Sequence, residues 1–177
     1  MDLKRLFHFS MIIAGLISYF YLPMSKTIMI LAAFFIILIL NYYLIFNKNE
    51  YLLVVVFGYL SWIGSIYLYT HSYYYDKIIH LAFAFFIYSV IFNRVQIKEY
   101  RIIFCFLATL GILGLWEIYE YFITNYFKLQ MTGVFDDSGN CLLEEYKDSI
   151  FDMIYGSIGT MVAGAYKSLR IENESYT

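Results

Sequence analysis

Residues 101–123 read RIIFCFLATLGILGLWEIYEYFI, and this run indicates a helix that crosses a membrane. A spanning helix needs about 20 consecutive, mostly apolar residues. The run is long enough, and its charged residues are Arg101 at one end and Glu117 and Glu120 near the other. Hydropathy therefore predicts the fold class, an all-α polytopic membrane protein.

The whole chain is as apolar as this run suggests. Of its 177 residues, 62% are hydrophobic and 22% aromatic, and the mean hydropathy is +0.65. Soluble domains are only about half apolar. The formal net charge is −2 and no basic tract is present. Membrane lipid is therefore the expected partner, and nucleic acid is not.

The apolar runs predict a bundle of six transmembrane helices that forms one integral membrane domain over residues 1–177. The first apolar stretch is expected to be a retained helix because it has no clear small-residue cleavage site. The predicted spans are about 6–22, 27–46, 51–70, 76–93, 101–123 and 148–166, with one substantial polar loop at 125–147.

The distribution of lysine and arginine predicts the orientation, since cytoplasmic loops carry an excess of these residues. With both termini in the cytoplasm, the inner side holds Lys4, Arg5, Lys48, Arg94, Lys98, Arg101, Lys167 and Arg170. The outer side then holds Lys26, Lys77, Lys128 and Lys147. The expected location is the plasma membrane, with a multi-pass topology.

Ionisable residues occur in pairs at the ends of three predicted spans. Each pair is spaced three or four residues apart, so both of its members face one side of a helix. The pairs are Asp76 and His80, Glu117 and Glu120, and Asp148 and Asp152.

The six residues also share two depths in the bilayer. A helix rises ~1.5 Å per residue, and we take Arg94, Arg101 and Lys167 as anchors at the inner edge. His80, Glu117 and Asp152 then lie ~21, ~24 and ~22 Å across, and Asp76, Glu120 and Asp148 lie ~27–29 Å across. The pattern predicts an outward-facing cup with an inner layer and an upper rim.

Ionisable groups inside a bilayer are expensive and usually functional. Oxygen-rich sites suit hard divalent cations, and a histidine admits Zn²⁺ or iron. A divalent metal (Mg²⁺, Mn²⁺, Zn²⁺ or iron) is therefore a candidate cofactor, and the alternative is a metal-free site in which one carboxylic acid passes protons to a neighbour. The candidate ligands are His80, Glu117, Asp152, Asp76, Glu120 and Asp148, of which Glu117, Asp152 and His80 are the candidate catalytic groups.

Structural interpretations stand beside the functional one. Asp76 and Asp148 are candidate helix N-caps or partners of a helix dipole, and the whole cluster is a candidate polar network that holds helices together. Lys77 is expected to meet a lipid headgroup or to extend to the interface. Glycines at Gly156 and Gly159, and also at Gly111 and Gly114, predict close helix packing.

Three functions remain open on these residues. The first is an enzyme that acts on a lipid or lipid-linked envelope molecule at the outer leaflet. The second is a component of a proton- or cation-coupled transporter, since acid and histidine chains also relay protons. The third is a non-catalytic membrane scaffold.

Three motifs in order resemble a known family. They are DKIIH at 76–80, WEIYE at 116–120 and DSIFDMIYGSIG at 148–159, within roughly residues 70–165. The chain is similar to YjdF-type predicted inner-membrane proteins and, more distantly, to VanZ-like proteins. This resemblance implies a polytopic membrane protein with an outward-facing set of acids and histidine.

The VanZ-like pattern is not matched throughout. The second motif ends in Glu120 where VanZ-like proteins usually have glutamine, and Asp152 begins no D-x-x-x-N run. The tolerance to glycopeptide antibiotics linked to VanZ-like proteins is therefore not expected of this chain.

Overall fold

A computed structural model of the chain describes residues 3–21, 27, 31, 35, 46–64, 68, 72–97, 99–127, 134–135 and 141–175. These residues form two compact units, Met1–Leu68 and Tyr69–Thr177. The helices are α1 (Leu3–Tyr21), α2 (Lys48–Ile63), α3 (Tyr73–Arg94), α4 (Arg101–Phe127) and α5 (Glu145–Ser175). The prediction of an all-α architecture is confirmed for the described residues, apart from two short strands.

A short pair of β-strands lies in the predicted polar loop. Strands β1 (Val134–Phe135) and β2 (Cys141–Leu143) pair antiparallel, with an irregularity in register beside Phe135. The loop itself is shorter than predicted, because α4 continues to Phe127 and α5 begins at Glu145.

Two of the described helices are long and apolar enough to cross a membrane, Tyr74–Arg94 and Arg101–Tyr126. They correspond to the predicted spans 76–93 and 101–123. The predicted span 27–46 lies outside the described residues except at positions 27, 31, 35 and 46. The total of six spans stays a prediction.

In the first unit, α2 begins with a capping box, which explains why it starts before the predicted residue 51. The Asn47 side chain accepts a hydrogen bond from the Glu50 backbone N–H at 2.9 Å. The Glu50 carboxylate accepts one from the Asn47 backbone N–H at 3.1 Å. These reciprocal bonds satisfy two donors that a helix start leaves without partners.

A small polar contact joins α1 to α2 beside an apolar core. Trp62 Nε1 donates a hydrogen bond to the Ser18 hydroxyl at 2.8 Å, and this hydroxyl donates to the Ala14 carbonyl at 2.8 Å. Met11, Ala14 and Tyr51 form the buried apolar cluster of this unit.

In the second unit, α4 and α5 each bury one face, and this face carries acidic residues at one end of the helix. Spacings of three and four residues keep side chains on a single face of a helix. The buried positions on α4 are Cys105, Thr109, Leu113, Glu117 and Glu120, and those on α5 include Asp148, Asp152, Gly156, Thr160, Ala163 and Lys167.

Glycines on α5 permit close contact with both neighbouring helices, as predicted. A Cβ atom at Gly159 would lie 2.1 Å from the Leu81 carbonyl oxygen on α3, and one at Gly156 would lie 2.7 Å from the Leu113 side chain on α4. The similar prediction for Gly111 and Gly114 finds no support among the described residues. A Cβ at either position meets no described atom within 4 Å, because both glycines lie off the buried face of α4.

The other end of the same three helices is basic and aromatic. Arg101 on α4 donates hydrogen bonds to the Phe92 carbonyl at the end of α3, one of them at 3.0 Å from Nε. Its guanidinium lies 3.9 Å from the centre of the Phe92 ring. Lys167 on α5 lies 3.2 Å from the Asn93 side-chain oxygen. Two of the predicted inner-edge anchors therefore meet at one end of the unit.

The interpretation of Asp76 and Asp148 as N-caps is wrong. Both residues lie inside the first turn of their helices, because α3 begins at Tyr73 and α5 at Glu145. The Asp148 backbone N–H already donates to the Glu144 carbonyl at 3.0 Å. The alternative interpretation as partners of a helix dipole is confirmed, because both carboxylates lie in the first turn of their helices.

Candidate functional site

His80 lies between acidic side chains from all three helices of the second unit. Its Nε2 atom is 3.6 Å from Asp76 Oδ1 on α3 and 3.8 Å from Asp152 Oδ1 on α5. Its Nδ1 atom is 3.7 Å from Glu117 Oε1 on α4. The three helices thus bring the six predicted site residues to one end of the unit.

The cluster is largely withdrawn from the surface. Asp152 is 3% exposed, Asp148 5%, Glu117 8% and Glu120 9%. The Asp76 side chain is 23% exposed and is the most open of the carboxylates. These carboxylates are therefore not a solvated surface patch, and Asp76 marks the side on which the cluster reaches the surface.

Lys77 adds a buried positive charge to the acidic cluster. Its side chain has no exposed surface and its ammonium group contacts the carboxylates of Asp76 (3.1 Å), Asp148 and Asp152 (2.7 Å). The expectation that Lys77 meets a lipid headgroup or extends to the interface is wrong. Three carboxylates attract the ammonium inward, and it has three N–H donors to share among them.

Helical spacing could have indicated this orientation of Lys77. Lys77, Leu81, Ala84 and Tyr88 follow one another at intervals of four, three and four residues, so they share a face of α3. Ala84 and Tyr88 are fully buried, and the backbone of Leu81 lies against Gly159 of α5. A lysine at the end of this stripe lies against α5, where Asp148 and Asp152 are.

Within the acidic cluster, Glu117 differs from its neighbours in its hydrogen bonding. Its Oε2 atom is buried and has no hydrogen-bond partner among the described residues. The Ser149 side chain interacts with the same carboxyl group. The 3.7 Å from Oε1 to His80 Nδ1 exceeds the usual length of a hydrogen bond. Buried polar atoms normally have partners, so an orphan oxygen at such a position requires an explanation.

Two sets of three side chains have the geometry of a metal site. One comprises Asp76, His80 and Asp152, and the other comprises His80, Glu117 and Glu120. Within each set the candidate ligand atoms all lie within 4.8 Å of one another. His80 belongs to both sets.

The contacts divide the cluster into two halves, and each half contains residues from both predicted layers. One half contains Lys77 with Asp76, Asp148 and Asp152. The other half contains Glu117 and Glu120, and His80 lies between the two halves. Depth along each helix could be calculated from the sequence, whereas the neighbours of each helix could not.

Comparison with protein families gives a match over nearly the whole chain. Residues 4–173 match the family described as "Predicted membrane protein (DUF2238)". The chain belongs to this family. This agrees with the resemblance to YjdF-type proteins, and it supports a membrane protein whose apolar helices carry the cluster. Comparisons with curated proteins and with solved structures gave no match.

Proposed function

We propose that this protein is a membrane-embedded enzyme that acts on a lipid or lipid-linked envelope molecule at the outer leaflet of the plasma membrane. The observation that carries the proposal is the position of His80 between carboxylates of three helices. A site at the end of membrane helices is accessible to the headgroup of a lipid, and acid and imidazole groups can transfer protons at an ester or phosphoryl centre.

Each candidate catalytic group has a distinct environment. Asp152 accepts a hydrogen bond from Lys77 at 2.7 Å, so its negative charge is partly balanced by an ammonium that it shares with Asp76 and Asp148. Glu117 has an oxygen without a described partner, so it is the better general base. His80 lies within 4 Å of both carboxylates. In a hydrolysis, Glu117 would accept the proton of the attacking water and His80 would return a proton to the leaving oxygen.

The charge distribution supports an outward-facing site in a chain with six spans and both termini inside. Arg101 and Lys167 lie around Phe92 at the end of the unit opposite to the carboxylates. Arg101 and Glu117 are 16 residues apart on α4, which corresponds to ~24 Å. This separation approaches the thickness of the hydrocarbon core, and basic residues favour the cytoplasmic side.

The contacts of Lys77 favour a second candidate, a scaffold whose polar network only holds helices together. A buried lysine paired with three aspartates joins α3 to α5 without any need for a ligand. A scaffold of this kind needs no unpartnered carboxylate oxygen, however, and Glu117 provides one. A transporter receives less support from the described helices, since buried Thr109 and Thr160 donate to carbonyls of their own helices.

Lipid analysis of cells tests the proposed activity. Cells without the chain would be complemented with wild type, with Glu117→Gln, or with Glu144→Gln as a matched control. Glu144 is an exposed glutamate of the loop that pairs with Lys147 at 3.2 Å. We expect a lipid or lipid-linked species to accumulate without the chain and with Glu117→Gln, and to return to normal with wild type and with Glu144→Gln.

The outcome separates the two candidates if the amount of protein in the membrane is measured in parallel. Normal lipid composition in cells with Glu117→Gln at wild-type abundance would contradict an enzyme that uses this carboxylate. It would favour the scaffold.

A further inference from the structure

We propose that the cluster holds one first-row divalent cation (Zn²⁺, Mn²⁺ or Fe²⁺) at His80, Glu117 and Glu120. Lys77 takes the place of a second cation in the aspartate half of the cluster, which comprises Asp76, Asp148 and Asp152. This inference deepens the proposed function, on which it rests, by assigning a cofactor site within the cluster. It selects one of the two geometrically feasible sets of ligands. With the cation bound, His80 and Glu117 would hold the ion, and the ion would activate the attacking water in place of proton transfer to Glu117.

Lys77 already occupies the first set. Its ammonium contacts Asp76, Asp148 and Asp152, and the oxygen it contacts on Asp152 is Oδ1. That atom is also the one 3.8 Å from His80 Nε2. A cation bound between His80 and Asp152 would therefore lie close to a buried ammonium group, and the two positive charges would repel each other.

In the glutamate half of the cluster, formed by Glu117 and Glu120, the carboxylates have no lysine or arginine partner among the described residues. Glu117 is more than nine-tenths buried, and its Oε2 has no hydrogen-bond partner among the described residues. Glu120 is 9% exposed. Two buried carboxylates at neighbouring turns of α4 need a positive charge or a proton. A divalent cation bound by both carboxylates would supply that charge, and bidentate binding by Glu117 would also engage Oε2.

The spacing suits direct coordination. Two adjacent ligand atoms that are each about 2.1 Å from one ion lie roughly 3.0–3.5 Å apart. His80 Nδ1 and Glu117 Oε1 are 3.7 Å apart, and an oxygen of Glu120 lies within 4.8 Å of both residues' ligand atoms. Small rotations of these side chains would complete the geometry.

The carboxylates of Asp76 and Asp152 would then orient the His80 ring. Histidine ligands usually present their other ring nitrogen to a carboxylate, which fixes the orientation of the ring. His80 has its Nε2 towards Asp76 and Asp152 while Nδ1 faces Glu117. An imidazole nitrogen with two carboxylates favours a transition metal over Mg²⁺ or Ca²⁺. Three protein ligands also leave a coordination position for water or a substrate oxygen.

Metal analysis of purified protein tests this assignment. Detergent-solubilised protein would be stripped with a chelator, reloaded with Mn²⁺ or Zn²⁺ alone, desalted and analysed for metal and protein. We expect about one equivalent per chain for wild type, and binding at least tenfold weaker for Glu120→Gln, since changes to residues that only support the ligands already cost 10–100-fold. The matched control is Glu144→Gln, which changes an exposed glutamate outside the cluster and should keep the metal.

Several results would overturn the proposal. They are wild type without metal after loading, two equivalents per chain, or retention of the metal by Glu120→Gln with the affinity of wild type and of Glu144→Gln. Pulsed electron paramagnetic resonance of Mn²⁺-loaded wild type gives a test that does not depend on a folded variant. We expect coupling to one imidazole nitrogen, and a spectrum without nitrogen coupling would contradict the site.

Failure of the cation site and failure of the proposed enzyme give different results. An enzyme without the cation would show altered lipids with Glu117→Gln while the loaded wild type holds no metal. A cation site without the enzyme would bind metal in wild type while the lipids remain normal with Glu117→Gln.

Discussion

The Lys77 ammonium lies 2.7 Å from Asp152 Oδ1, and the lysine side chain has no exposed surface. This ion pair joins α3 to α5 inside the only part of the described helices where carboxylates of three helices meet. A buried charge of this kind is tolerated because its partners balance it. The pair therefore has consequences for stability that differ from those of the neighbouring glutamates.

Replacement of Lys77 by methionine should strongly destabilise the protein. The change leaves three buried or half-buried aspartates without their cation, and the removal of one partner from a buried ion pair costs about 3–5 kcal/mol. Unfolding in a detergent titration measures the effect. The matched control is Lys147→Met, an exposed lysine whose loss should leave the midpoint unchanged. Equal midpoints for Lys77→Met and wild type would show that Lys77 is not the cation that balances the aspartates.

Glu117→Gln and Asp152→Asn should differ in their effects on stability. Glu117 has an unpartnered buried oxygen, so the neutral amide should leave the unfolding midpoint of metal-free protein equal or higher. Asp152 accepts a hydrogen bond from Lys77, and hydrogen bonds to charged groups contribute about 1.5–3 kcal/mol. Asp152→Asn should therefore lower the midpoint. A larger loss in Glu117→Gln than in Asp152→Asn would indicate that Glu117 is mainly structural.

The contact between α3 and α5 should depend on Gly159. Alanine at this position would place a Cβ 2.1 Å from the Leu81 carbonyl, so the two helices must move apart. We expect a lower yield of folded protein and a lower unfolding midpoint. Gly111→Ala is the matched control on α4, where no described atom lies within 4 Å and alanine favours the helix. Similar midpoints for the two variants would contradict the close contact.

The two cysteines allow the orientation of the loop before α5 to be measured. Cys141 is exposed on β2, whereas Cys105 has no exposed surface within the core near Phe92. With an outer loop, a membrane-impermeant maleimide added to intact cells or spheroplasts should label wild type and Cys105→Ser but not Cys141→Ser. Labelling that requires lysis of the cells would reverse the orientation and place the cluster on the cytoplasmic side.

Hydropathy and helical spacing predict much of the second unit. The apolar run at 101–123 corresponds to α4, and the spacing of Gly156 and Gly159 indicates the buried face of α5. Both predictions depend on properties of a single helix. The start of α2 was harder to predict from hydropathy, because a capping box between Asn47 and Glu50 extends the helix into a polar segment.

Contacts between helices are the part that a single sequence does not determine. The depths of Asp76, His80 and Asp152 follow from the helical rise, but which side chain faces which depends on the rotation of each helix. Lys77 was assigned to the interface because a long basic side chain can usually extend there. Two aspartates on α5 instead hold it in the interior, and that preference appears only once α3 and α5 are neighbours.

The lipid composition of cells that produce Glu117→Gln at wild-type abundance distinguishes a reactive acidic cluster from a structural one. If the cluster is reactive, these cells should accumulate the same lipid or lipid-linked species as cells that lack the chain. A lipid composition identical to that of wild-type cells would show that the cluster is a structural network around Lys77.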